Sequence, residues 1–203
     1  RAIAELEALG MAEWLSGRVS NWGLRAAGFG QTLYLPWSSP SFPSRGSAAP
    51  RMELDARIRQ VALDAGAVPV EGHRAVDAVI EAGQVRRVVF TTDDGTREIT
   101  CRRLVVADGV RSQLGRVLGR QWHRGTVYGV AARGYIASQR SNDPWISSHL
   151  ELRDADHKIL SGYGWIFPLG DGNVNIGVGT LATDQRPADV NLRKLMNVYA
   201  DQQ

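Results

Sequence analysis

Apolar residues recur along this chain with two different periods. In residues 2–16, Ile3, Leu6, Leu9, Trp14 and Leu15 follow a helical stripe, and Gly10 divides it into two short helices. Residues 52–65 keep the helical period, with Leu54, Ile58, Val61 and Ala65 on one face and Gly66 as the stop. A last helix opens at Pro187 and carries Leu192, Leu195 and Met196 along one side. Elsewhere the period is two, or the run is continuously apolar. Strands are predicted at 22–29, 32–37, 68–70, 74–80, 84–91 and 96–102, with Asp93-Asp94-Gly95 as a hairpin turn and a loop around Pro40-Ser41-Phe42-Pro43. Further strands follow at 126–136, 146–153, 161–168 and 173–180, the last two joined by Gly170-Asp171-Gly172.

Leu104-Val105-Val106-Ala107 reads as a buried parallel strand ended by Asp108-Gly109. Ser112 then caps a short helix at 113–118, closed by Gly119. Helix and parallel-type strand at 51–119 thus interrupt meander-type β segments at 17–50 and 120–182. That order predicts a mixed α/β fold of two layers visited in turn, not two domains in series.

Composition adds limits. The 203 residues are 43% hydrophobic and 22% charged, an ordinary globular balance with enough apolar mass for a core. Cys101 is the sole cysteine, so no intrachain disulfide forms and a reducing compartment is expected. The net charge of +3 rests on scattered arginines with only Lys158 and Lys194 beside them, which gives no basic block for nucleic acid. No run approaches the roughly 20 apolar residues of a membrane span. The chain starts at Arg1 in helical rhythm and stops at Gln203 within another, so it is expected to be an internal piece of a longer protein.

Three segments carry candidate chemistry. Asp108 stands where open α/β sheets bind ligands, with Gly109 permitting close backbone approach and the Ser112 helix start facing an anion; the competing role is an Asx turn. Arg51, opening a helix, is either a solvated charge or a fixed fork for phosphate or ribityl oxygens. In Gly162-Tyr-Gly-Trp-Ile-Phe-Pro168 the rings of Tyr163, Trp165 and Phe167 point to one side of a strand. They form either a core ladder or the lining of a long apolar cavity, with Gly177 and Gly179 on the return strand leaving room for a flat ligand. His73, His123, His149 and His157 have no metal-ligand spacing and read as surface or core histidines.

Taken together, Arg51-x-x-x-Asp55, Ala107-Asp108-Gly109 with Ser112, and Tyr163-x-Trp165-x-Phe167-Pro168 resemble the geranylgeranyl reductase family, FAD enzymes related in fold to para-hydroxybenzoate hydroxylase. The run from Gly162 to Gly179, with Leu118–Arg124 and Asp143-Pro144-Trp145, is most similar to members that saturate one isoprene unit of menaquinone. The resemblance implies a partial FAD/NAD(P)-binding, Rossmann-like domain at 1–16 and 51–119, interleaved with an antiparallel β-sheet substrate domain at 17–50 and 120–203. It implies FAD contacts by Arg51, by the Val76 backbone near the adenine, and by Asp108 and Gly109 at the ribityl chain. Tyr163, Trp165, Phe167 and Pro168 would line a prenyl tunnel. The implied activity is reduction of an isoprenoid C=C bond, with NAD(P)H or another donor as electron source. The implied substrate is a prenyl lipid or prenylquinone, met from the cytoplasm by peripheral contact with the inner face of the membrane.

Three parts of the family pattern have no match here: the Gly-rich dinucleotide fingerprint, the Cys-Gly active-site loop, and the later Gly-Asp-Ala motif. Cys101 does not match the loop cysteine and reads as a packing residue. The chain alone is therefore expected to hold FAD weakly and to be inactive, and no catalytic acid is named. Two competing readings are an FAD-dependent aromatic hydroxylase, which shares Arg51 and Asp108-Gly109, and a non-catalytic prenyl-lipid-binding module.

Overall fold

The computed structural model describes all residues except 1, 39, 42 and 122–124. His123, most of the 118–124 motif's end and Phe42 of the 40–43 loop lie outside the described residues. The helices are α1 (Ala2–Ala8), α2 (Ala12–Ser16), α3 (Arg51–Asp64), α4 (Gln113–Val117) and α5 (Leu192–Asp201). The strands are β1 (Ser20–Asn21), β2 (Gly23–Gly28), β3 (Gln31–Pro36), β4 (Gly46–Ser47), β5 (Arg74–Glu81), β6 (Gln84–Thr92), β7 (Gly95–Thr100), β8 (Tyr128–Ala137), β9 (Trp145–His149), β10 (Gly162–Pro168) and β11 (Asn173–Ala182). The mixed α/β class expected from the two periods is the class observed. Residues 1–65 with 125–203 form one compact unit, and residues 66–124 form another.

The larger unit is built on a six-stranded sheet in the order β3-β2-β9-β10-β11-β8. Its ladders are antiparallel except β2 against β9, which is parallel. Strand alternation sorts the residues of β10 between two faces. Ile166 turns toward α5 and joins Leu152, Val174, Ile176, Val178, Leu195 and Tyr199 in the core. Gly164 lies on that same face because the Tyr199 ring occupies the space where a Cβ would stand. Buried Pro168 ends the strand on that side. The other face carries the three aromatic rings.

Polar groups on the α5 side are paired. Arg25 donates to Ser147 Oγ from Nε and Nη2 at 3.1 and 2.8 Å, and its Nη2 lies 3.1 Å from Asp143 Oδ2. Arg140 Nη2 reaches the same Ser147 oxygen at 2.7 Å. His149 Nδ1 is hydrogen-bonded to the Tyr199 hydroxyl. Burial, with the Arg25 charge, holds the His149 imidazole below its usual pKa, and burial pushes the Tyr199 phenol well above its own. Both groups are therefore neutral in the core at neutral pH.

Three boundaries differ from the sequence expectation. The last helix begins at Leu192, because Asn191 accepts a hydrogen bond from the Lys194 amide at 3.0 Å and so caps it; Pro187 lies in the preceding loop. β9 stops at His149, where the chain leaves the sheet for a turn closed by the Arg153–Ile159 bridge. Residues 68–70 form no strand, and Val68 is 83% exposed.

The smaller unit is a meander of β5, β6 and β7, with α4 packed on β5 and with Val88 and Leu114 buried. Ser112 caps α4 as expected, its Oγ accepting from the Gly115 amide at 2.7 Å. The expected buried strand at 104–107 is not formed. Val105 is 86% exposed, and no strand among the described residues pairs with this run. A parallel strand needs neighbours to satisfy its backbone and layers to cover its side chains, and the described residues of this unit supply neither.

Two predictions follow from the core. Gly164→Ala forces a methyl group into the Tyr199 ring and lowers unfolding free energy by about 1–3 kcal/mol. Gly129→Ala, whose new Cβ meets only the Thr180 carbonyl at 4.0 Å, shifts it by less than about 0.5 kcal/mol; chemical denaturation compares the two. The second concerns pH. His149 is depressed in the fold, so the unfolded chain takes up the proton first. Its stabilisation is complete above about pH 6.5 and is lost as pH falls through the lowered folded value. His149→Gln flattens that part of the stability–pH curve.

Candidate active site

The register of β10 and β11 places the candidate wall. Trp165 pairs with Gly177, Tyr163 with Gly179 and Phe167 with Asn175. The three rings form a tilted stack with centroids 5.8 Å apart for Tyr163–Trp165 and 6.3 Å for Trp165–Phe167. They are not a closed core ladder: Tyr163 is 47% exposed, and Trp165 and Phe167 are half-buried. The glycines opposite have a different use from the one expected. The Trp165 indole itself fills the space a Cβ would take at Gly177 and lies against Gly179. The room left by the glycines is occupied by the wall's central ring, which is thereby fixed flat over β11.

A hydrogen bond locks that ring. Trp165 Nε1 donates to Asn175 Oδ1 at 3.0 Å, and Asn175 is buried. The Asn175 side chain also favours the ionised form of Tyr135. Tyr135 pairs with Asn175 across β8 and β11, so it shares the face of the aromatic wall. Its hydroxyl also accepts from the Arg51 backbone amide at 3.0 Å and from Arg133 Nη1 at 2.6 Å. The Arg133 guanidinium carbon lies 5.5 Å from the Tyr135 ring centroid. Burial raises this phenol, but the Arg51 amide, the Arg133 hydrogen bond and charge, and Asn175 outweigh it and hold the pKa below its ordinary value. Sequence reasoning missed Tyr135, Arg133 and Asn175. Period two in β8 and β11 puts all three on the wall's face once the register is known, but register is not visible in one strand alone.

Arg51 opens α3 as expected. Its side chain is held by Asp55 in a two-point pair, Nε to Oδ1 at 3.0 Å and Nη2 to Oδ2 at 3.1 Å. Both side chains are more than half exposed. The Arg51-x-x-x-Asp55 motif is thus a fork fixed in direction at the helix start, and the Arg51 amide clips that start to Tyr135.

In the smaller unit, Val76 is the extra residue of a β-bulge, for the β5–β6 register skips from Ala75 to Asp77. Asp108 and Gly109 border an open concavity of about 480 Å³ with Val106, Ser112, Leu118 and Arg120. Gly109 has φ +85°, and nothing lies within 4 Å of where a Cβ would stand. A ligand can therefore approach that backbone closely.

The histidines that are described fall into core or surface roles. His149 is in the core pair with Tyr199, His73 stands edge-on to Phe90, and His157 sits in a turn at φ +60°. Among the described residues no cluster of three or more His, Cys, Asp or Glu side chains is arranged to hold a metal ion. No described helix is long and apolar enough to cross a membrane.

Known proteins match this chain throughout. It is 59% identical over 202 residues to the menaquinone reductase of Mycolicibacterium smegmatis, covering 99% of this chain and 49% of that protein. The menaquinone reductase of Mycobacterium tuberculosis is 57% identical over 201 residues, with the same coverage of 99% and 49%. The digeranylgeranylglycerophospholipid reductase 2 of Methanothermobacter thermautotrophicus is 31% identical over 135 residues, 66% of this chain and 34% of that one. Among solved structures, a triple mutant of the flavin-dependent brominase Bmp2 superposes with a TM-score of 0.72 at 17% identity, covering 98% of this chain and 50% of that one. A geranylgeranyl bacteriochlorophyll reductase-like protein from Thermoplasma acidophilum gives a TM-score of 0.69 at 21% identity, covering 91% and 45%. No protein-family model matches the chain. The chain spans about half the length of the curated relatives it matches.

The Trp165–Asn175 bond is testable by itself. Trp165→Phe leaves a buried carboxamide oxygen without its donor and costs about 1–3 kcal/mol. In a double-mutant cycle with Asn175→Ala, the coupling energy is at least about 0.5 kcal/mol, read from denaturation midpoints.

Proposed function

We propose, from a chain homologous to the menaquinone reductases and built on the fold of flavin-dependent enzymes, that it forms the substrate wall and part of the flavin bed of an FAD-dependent oxidoreductase. The reaction is saturation of a C=C bond in an isoprenoid chain, a menaquinone side chain first and a geranylgeranyl group second. The observation that carries this reading is the partly exposed stack of Tyr163, Trp165 and Phe167 on one sheet face, with its central ring fixed flat.

A long aromatic surface suits this substrate because an isolated alkene offers no polar handle. Orientation and exclusion of water are what a protein can supply to such a bond. Tyr163, Trp165 and Phe167 hold the prenyl chain by apolar contact, and Pro168, buried behind the wall, fixes the end of their strand. Residues 17–50 and 120–203 serve as the substrate domain; residues 1–16 and 51–119 serve the flavin domain. Bound FAD would supply hydride, drawn from NAD(P)H or another donor. Asp108 would accept a ribityl hydroxyl, Gly109 would allow the ligand close, the Val76 bulge would offer backbone to the adenine, and Arg51 would meet the phosphates or ribityl chain. The open concavity at Asp108 and the free space at Gly109 fit an extended, hydroxyl-bearing group. The exposed apolar run at 104–107 fits a strand completed by sheet partners outside the described residues. Access to a lipid substrate would come by peripheral contact with the inner membrane face.

The test uses the full-length gene product with FAD, a reductant and menaquinone, followed by mass spectrometry of the lipid. The expected product gains two hydrogen atoms in the side chain. An added oxygen with the side chain intact, or lipid bound without turnover, overturns the reading. Asp108→Ala is expected to weaken FAD retention by about tenfold or more, the loss of one charge-assisted hydrogen bond of about 1.5–3 kcal/mol.

A further inference from the structure

Adding hydrogen across an alkene needs a hydride for one carbon and a proton for the other. The wall's own phenol, Tyr163, receives no hydrogen bond from the described residues that would hold the base it leaves, so a hydrogen-bonded polar group at the wall's edge is the better source. Among the described residues of the larger unit, Tyr135 is in that position. It is on the same sheet face as the wall and in one row with Asn175 and Phe167 across β8, β11 and β10. Two strand spacings separate its backbone from that of Phe167, about 10 Å. A tyrosine side chain on this face can extend over much of that distance.

The surroundings of the hydroxyl select its role. Both hydrogen bonds that the described residues make to it are donations to its oxygen, from the Arg51 amide and the Arg133 guanidinium. Neither group can accept its proton, since an amide N–H and a guanidinium are donors only. The O–H is thus directed away from its protein partners, and the ring is 43% exposed on the wall's face. Two donors on one oxygen, one of them charged, also stabilise the phenolate left after the proton departs. The charged side chains near it are Arg133 on its own strand and the Arg51–Asp55 pair at the start of α3. A residue serving only to clip α3 in place would need the Arg51 bond alone, not the Arg133 bond as well.

We propose that Tyr135 is the proton donor of the reduction, with Arg133 and the Arg51 amide holding its conjugate base. This rests on the prenyl-reductase reading above. In balance, the alkene π bond breaks and two C–H bonds form. One takes the hydride from reduced flavin, which is oxidised by two electrons. The other takes the Tyr135 proton, and the phenolate regains a proton from water.

The experiment uses the full-length flavoprotein with menaquinone as substrate. Tyr135→Phe is expected to lower kcat by about a hundredfold or more while KM stays within threefold, the size of a lost general acid. Because the protonated phenol is the active form, the rate falls as pH rises through its pKa. Arg133→Gln, which keeps the phenol but removes a stabilising charge, moves that basic limb to higher pH. A readout independent of turnover is NMR of protein carrying tyrosine labelled at Cζ. One phenol titrates below the ordinary value near 10, is missing in Tyr135→Phe, and moves up in Arg133→Gln. Wild-type kcat in Tyr135→Phe, a raised KM with unchanged kcat, or a basic limb that Arg133→Gln does not move would each overturn the assignment. If Tyr135→Phe loses its fold by circular dichroism, the Arg133→Gln limb and the NMR titration decide. Absence of any saturated product from the wild type is a separate result, and it sinks the reductase reading before a variant is made.

Discussion

The register of one strand governs the larger unit. β10 alternates small or core residues, Gly164, Ile166 and Pro168, with the rings of Tyr163, Trp165 and Phe167. The first set fits against α5, where the Tyr199 ring leaves room for a glycine and nothing larger. A slip of one residue would drive Trp165 into Tyr199 and turn Ile166 outward, so packing on the α5 side fixes which way the aromatic wall faces. The same register brings Gly177 under Trp165 and Asn175 beside its indole nitrogen. Core packing on one face and site geometry on the other are two consequences of a single pairing.

That coupling explains what was legible. The Tyr-x-Trp-x-Phe repeat announces a one-sided wall because strand period is local, and Gly164 announces a close neighbour because only a missing side chain makes room for one. The helices at 2–16 and 51–64, the β5–β6–β7 meander and the Ser112 cap were readable for the same reason: each is decided within a few residues. The partners of Tyr135 were not readable. Its bond to the Arg51 amide joins positions 84 apart in sequence, and no local pattern encodes such a pairing. Asn191 displaced Pro187 as the start of α5 because a side-chain cap outweighs a permissive residue. The run at 104–107 carries the composition of a buried strand, yet composition cannot supply the neighbouring strands that its backbone needs.

A four-residue apolar segment with Val105 86% exposed is an unfavourable surface for a finished domain. The helix α3 likewise buries none of its residues, although Ile58 and Val61 are apolar. Relatives twice as long offer the material to cover both. The concavity at Asp108 and Gly109 is lined in part by Val106 of the same run.

Whether such a wall merely holds lipid or takes part in chemistry turns on its polar edge. A holding surface gains from apolar area and loses from every polar group brought near it, since each must be kept hydrogen-bonded to avoid a desolvation cost. A passive prenyl groove would therefore end in Leu or Phe at position 135. Instead the position holds a phenol whose oxygen accepts from the Arg51 amide and the charged Arg133, and these hold its pKa down against the burial that would raise it. Arg133 is kept over the Tyr135 ring although it stands on the same face as the wall. A cation and a phenol beside an aromatic surface add nothing that holding lipid requires. The proposed proton donor uses both, the phenol for its proton and Arg133 for the charge left behind, which a passive carrier would not need.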